Sequence, residues 1–131
     1  MTNGGSIKTA KFIAKSVAPI RRGLIEMKIK IPFCKEMKQA VLEGRKTCTS
    51  RNKRYGKVGD YFIIGKNKYQ LRYFHKDRLC DVANFHYREE GFSNPVAFIK
   101  IWDRLHPRKG YDPNQIVYVH FFKELKGTNG N

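Results

Sequence analysis

The sequence predicts an α+β domain: a small β-barrel of five or six mostly antiparallel strands with two main flanking helices. Three observations carry this. Apolar residues recur at period 2 in several short segments bounded by glycine, proline and asparagine. Two segments show helical spacing, and strands and helices do not alternate as βαβα. The chain has 131 residues, 40% of them hydrophobic and 13% aromatic, enough for one real core and too few for a doubly wound sheet or a TIM barrel.

Residues 1–26 read as a basic N-terminal extension, disordered or partly helical, broken by Pro19 and Gly23. A targeting segment, a nucleic-acid-binding arm and sequence upstream of a start at Met27 all fit it, but a secretory apolar run does not. The domain is expected over 27–125, followed by a frayed tail at 126–131. MKIKIPF alternates as a half-buried strand, with Pro32 ending it at an edge. CKEMKQAVLEG is a short helix buried through Met37 and Val41, with Ala40 and Leu42 beside them, and Gly44 lies past its end. RKTCTSR is extended. YFII and YQLRYF pair as a hairpin across GKNK. RLCDVANF, residues 78–85, reads as a further strand. SNPVAFIKIWDRLH is a helix with Ser93 as N-cap and a stripe of Phe98, Ile99, Trp102 and Leu105. IVYVHFF is the last and most hydrophobic strand.

Charge sharpens the expectation of a partner. The chain has 27 Lys and Arg against 11 Asp and Glu, a formal net charge of +16. Residues 41–80 hold eleven basic side chains against three acidic ones, net +8, and RKTCTSRNKRYGK carries six positive charges and no acid. Such a run repels itself unless an anion offsets it, and phosphate suits arginine's bidentate fork. RNA, single-stranded or structured, or a nucleoside is therefore the expected partner. Arg45, Arg51, Lys53, Arg54, Lys57, Arg72 and Lys76 are the expected contacts, with Tyr55 offering a ring for stacking. No segment is apolar enough to span a membrane as a helix. The three cysteines, Cys34, Cys48 and Cys80, have no CxxC spacing, which argues against a disulfide scaffold and for a reducing, cytoplasmic setting. His75, His86, His106 and His120 lack metal-ligand spacing, so no metal and no cofactor is expected. His75 and His86 are read as lining a cleft, Trp102 as core, and Cys48 as a small buried residue rather than a nucleophile.

LEGRKTCTSR after a helix, then GKVGDYFII, then EEGF before a helix with Trp102, then GYDPNQIVYVHFF, resembles the ASCH-domain family of PUA-like fold. The resemblance covers about residues 27–125. It implies a small β-barrel closed by helices, and activities that range from RNA binding and ribonuclease-like cleavage to amide hydrolysis on N4-acetylcytidine. In the amidohydrolase branch a lysine, a threonine and a glutamate are catalytic, which maps them onto Lys46, Thr49 and Glu90, with Arg51 as an accompanying arginine. Cys48, the basic NKRYGK and EEGF depart from that branch.

The residues alone pose one obstacle. On a regular strand Lys46 and Thr49 face opposite ways, so they share a site only if the chain bulges after Gly44. If they meet, lysine can act as base toward the threonine hydroxyl, Glu90 can move a proton, and Arg45 and Arg51 can hold an oxyanion or phosphate. An ion pair between Lys46 and Glu90 is the plainer alternative. The functions expected are RNA binding, with or without cleavage, amide hydrolysis on an acylated cytidine, or a basic structural role alongside nucleic acid.

Overall fold

In a computed structural model, the structure describes residues 26–126. The expected extension up to residue 25 and the tail from residue 127 lie outside them. Among the described residues there are three helices and four strands: α1 Lys35–Leu42, β1 Cys48–Arg51, β2 Tyr61–Ile64, β3 Asn67–Arg78, α2 Leu79–Phe85, α3 Pro95–Leu105 and β4 Ile116–Leu125. The strands form one curled antiparallel sheet, a half-barrel of order β1-β4-β3-β2. No helix among the described residues is long and apolar enough to cross a membrane.

The strand count is four rather than five or six, for two reasons. MKIKIPF keeps its alternation, with Ile31 buried and Lys30 exposed. It joins the sheet only through a parallel bridge from Lys28 to Tyr61, with Ile29 N–H donating to the Tyr61 carbonyl and Tyr61 N–H to that of Met27. Pro32 has no N–H with which to extend that ladder. Residues 79–85, expected as strand, are helix α2. Leu79, Val82 and Ala83 are its buried residues, a spacing of three and four that belongs to a helix and that the β-branched and aromatic content masks.

The hairpin holds: Ile64 pairs with Asn67 across a two-residue turn in which Gly65 has φ +62°. β3 runs on to Arg78, with a bulge between Leu71 and Tyr73 that leaves Arg72 out of register. In α1 Met37, Ala40 and Val41 are buried, but Leu42 is exposed. Gly44 follows with φ +81°, its amide bonding the Val41 carbonyl. α3 is capped by Asn94, one residue later than the expected Ser93. The Asn94 side chain accepts from Ala97 N–H at 2.9 Å, and Pro95 opens the helix.

The sheet's two faces bury separate clusters. Cys48, Val117 and Val119 meet α2 and α3 through Leu79, Val82, Phe98 and Trp102. Leu71, Phe62, Tyr69 and Phe122 meet Val41 of α1 and Ile31 on the other side. Each fully buried side chain of this size contributes roughly 1.5–3 kcal/mol relative to exposure. Asp60 ties the loop before β2, accepting from the amides of Lys57 and Met27.

Candidate active site

The amides of Thr47 and Cys48 both donate to the carbonyl of Glu89, at 2.7 and 3.0 Å, yet the side chains go on alternating. Lys46, Cys48 and Ser50 all turn toward the Glu90 carboxylate, Thr47 is exposed, and Thr49 meets Arg51 instead of Lys46. Lys46 forms an antiparallel bridge with Glu90, and Lys46 N–H returns to the Ala40 carbonyl at the end of α1. Gly91, the glycine of EEGF, has φ +100°. A Cβ there would stand 3.2 Å from both Lys46 Cβ and Ala40 Cβ, which explains why that position carries glycine.

Lys46 and Glu90 are each only 3% exposed. Lys46 Nζ donates to Glu90 Oε1 at 2.9 Å and to the Glu90 carbonyl at 3.0 Å. Ser50 Oγ donates to Glu90 Oε2 at 2.6 Å. Thr49, also buried, accepts from Arg51 Nη1 rather than from Lys46. Arg51 also donates to the carbonyls of Ser50 and Pro32, and its guanidinium lies 5.2 Å from the centre of the Phe33 ring. Burial lowers the Arg51 pKa from its ordinary value, an effect that Glu90 and then Tyr55 oppose.

These groups line one cavity of about 600 Å³. Lys46, Thr49, Ser50, Arg51 and Glu90 give it a polar patch, and Phe33, Phe92, Phe98, Ile101 and Trp102 give it an apolar wall. The indole N–H of Trp102, on a side chain that also belongs to the core, is buried and makes no hydrogen bond among the described residues. Burial, and then the charge of Glu90, push the Cys48 thiol pKa well above its usual value. A protonated thiol packed in the core is a poor nucleophile.

The basic residues divide. Arg51 lies in the cavity wall, and Lys53 and Tyr55 line it as well. Lys53 Nζ sits 5.1 Å from the centre of the Tyr55 ring, and that half-buried ring packs on the core beside His120. Arg45 instead bonds Glu43 and the Gly91 carbonyl and borders a second hollow of about 400 Å³. Arg54 stacks over Phe74 and Lys76 over Tyr118, both away from the cavity lining, while Lys57 is exposed and Arg72 half-buried.

Two further participants complete the site. Ser50 shares the strand parity of Lys46 and Cys48 and reaches Glu90 from the same face. His120 is fully buried, accepting from the Tyr55 amide at Nε2 (2.9 Å), while Nδ1 faces the carbonyls of Thr49 and Tyr118. It thereby fastens the basic loop to β1.

No family model and no curated protein matches the chain. Among solved structures, it is similar to a DUF984 family protein of Enterococcus faecalis: 16% identity, TM-score 0.53, covering 92% of this chain and 86% of that one. An ASCH domain of Lactobacillus crispatus also aligns, at 10% identity and TM-score 0.49, over 90% of this chain and 94% of that one. At these identities the likeness concerns the fold alone.

Proposed function

We propose that the chain is an ASCH-like amidohydrolase that takes a nucleoside-sized substrate, an acylated cytidine or a close analogue, into the cavity. The observation that carries this is the buried Lys46–Glu90–Ser50 array with the Thr49–Arg51 pair beside it, all lining one pocket opposite an aromatic wall. A flat base suits the wall formed by Phe33, Phe92 and Trp102. Glu90 takes a proton from the attacking oxygen, that of water or of Thr49, as it bonds to the amide carbon. Lys46 and Arg51 stabilise the oxyanion. The proton passes to the leaving amine as the C–N bond breaks. When water attacks, this step frees the acid directly; when Thr49 attacks, a water then hydrolyses the Thr49 ester to release it. With N4-acetylcytidine, the expected result is release of cytidine and acetate by the parent. Glu90→Gln should be slower by about 100-fold or more and Arg54→Ala unaffected. An inactive parent, or a Glu90→Gln variant as fast as the parent, overturns the reading.

RNA binding is the second reading, favoured by the cations that stand outside the cavity. Arg54 over Phe74, Lys76 over Tyr118 and the exposed Lys57 supply positive charge beyond the cavity that Lys53 and Tyr55 help to line. Affinity for single-stranded RNA should then fall with salt on a log–log line, and Arg54→Ala should flatten its slope by about one unit. A salt-independent affinity removes this reading while leaving the hydrolase reading intact.

A further inference from the structure

β3 places His75 and Asp77 two residues apart, on one face of the sheet. His86 reaches the same point from the C-terminal end of α2. Asp77 Oδ2 lies 3.2 Å from His75 Nε2 and 3.7 Å from His86 Nε2, and the three ligand atoms all fall within 4.8 Å of one another. Donors around a tetrahedral zinc ion at about 2.0–2.1 Å stand roughly 3.4 Å apart, so modest side-chain rotations close the set. We propose that His75, Asp77 and His86 form a binding site for a divalent transition metal of the zinc class, with an open coordination position.

Several features prepare the donors. The two imidazole planes are nearly perpendicular, at 88°, and both rings lean edge-on against Phe121, at 5.9 and 5.8 Å. Packing of this kind reduces the rotamer entropy lost when a metal binds. The second nitrogen of His86, Nδ1, is buried and makes no hydrogen bond among the described residues, and Glu89 Oε1 stands 4.0 Å from it. A carboxylate behind a ligating imidazole is the usual arrangement for fixing tautomer and ring orientation. Two imidazoles and one carboxylate suit zinc, nickel, copper or iron better than magnesium or calcium. The side chains of His75, Asp77 and His86 are 36%, 24% and 24% exposed, which leaves a path for the ion.

None of the three lines the candidate active-site cavity. The two places are joined by the backbone, since Glu90 N–H donates to the His86 carbonyl at 2.9 Å. Metal at His86 braces the turn that carries Glu90.

The test uses the full chain after chelator treatment, titrated with zinc in a calorimeter and with cobalt(II) under visible absorption. One equivalent should bind, with a Tm that climbs as free zinc rises. Asp77→Asn, close to isosteric, and His86→Ala should each bind at least tenfold more weakly, and His106→Ala as the parent does. Absence of saturable binding, or unchanged affinity in both Asp77→Asn and His86→Ala, overturns the site. So does a cobalt spectrum dominated by thiolate charge transfer, which places the metal on Cys34 or Cys80.

Discussion

Replacing Glu90 by alanine should destabilise the fold by about 3–5 kcal/mol, the usual cost of leaving one partner of a buried ion pair alone. The Lys46 ammonium would keep its bond to the residue 90 carbonyl but face a 3% exposed site with no counter-charge. Ser50 would lose its acceptor as well. The double variant Lys46→Met with Glu90→Leu removes both charges and should recover most of that loss, because a well-packed apolar pair often equals a buried salt bridge. Urea unfolding of the two single variants and the double one measures the coupling directly. A Glu90→Ala variant as stable as the parent would show that water already screens the pair. The double variant should recover stability without recovering turnover, which separates the structural role from the catalytic one.

The second large effect concerns acid. His120 has its pKa lowered from 6.5 to about 4, chiefly by burial. Protonation would also turn Nε2, which accepts from the Tyr55 amide, into a donor facing a donor. The folded state therefore resists a proton that the unfolded chain accepts. Its contribution is complete above pH 6.5 and is lost as the pH falls from there toward 4. The loss should reach about 3 kcal/mol at most, at 1.36 kcal/mol per unit of pKa. Glu36, held at about 2 by its hydrogen bond from Arg104, is lost in a lower window, below 4.5. Unfolding free energies from about pH 7.5 down to pH 4.5 should thus slope in the parent and flatten in a His120→Gln variant. Equal slopes in the two proteins would remove His120 as the cause.

Legibility tracked the range of the forces involved. Gly44 and Pro95 mark ends of α1 and α3 through local backbone chemistry, and the hairpin across Gly65 is equally local. Each of these could be read in order along the chain. The strand expected over 78–85 is instead helix α2, because Leu79, Val82 and Ala83 sit among residues that also favour strands and packing against α3 decides between the two. The length of β3 depends on β4, whose register runs from Leu125 opposite Lys68 to Ile116 opposite Arg78. The candidate site was legible as a set of names through family resemblance, and strand parity sets Lys46, Cys48 and Ser50 apart from Thr49 and Arg51. That Glu90 meets the first set, and that His120 bonds the Tyr55 amide, depends on contacts between segments distant in sequence. His75 and Asp77 are near neighbours on β3, but His86 joins them only because residues 79–85 are helix.

The carbonyl of Glu89 has a consequence for how copies of this molecule meet. β1 is an outer strand, and an outer strand with open amides is a template for pairing with another chain. Just before and at its start, the Thr47 and Cys48 amides are taken by the turn around Glu89. Farther along, Arg51 occupies the Ser50 carbonyl. On the opposite margin, residues 27–29 occupy the flank of β2 at Tyr61. The half-barrel thus leaves its rim unclosed yet blunted on both sides. Crowded copies find little free ladder to extend, and the sheet gains by local covering much of the resistance to aggregation that full closure would give.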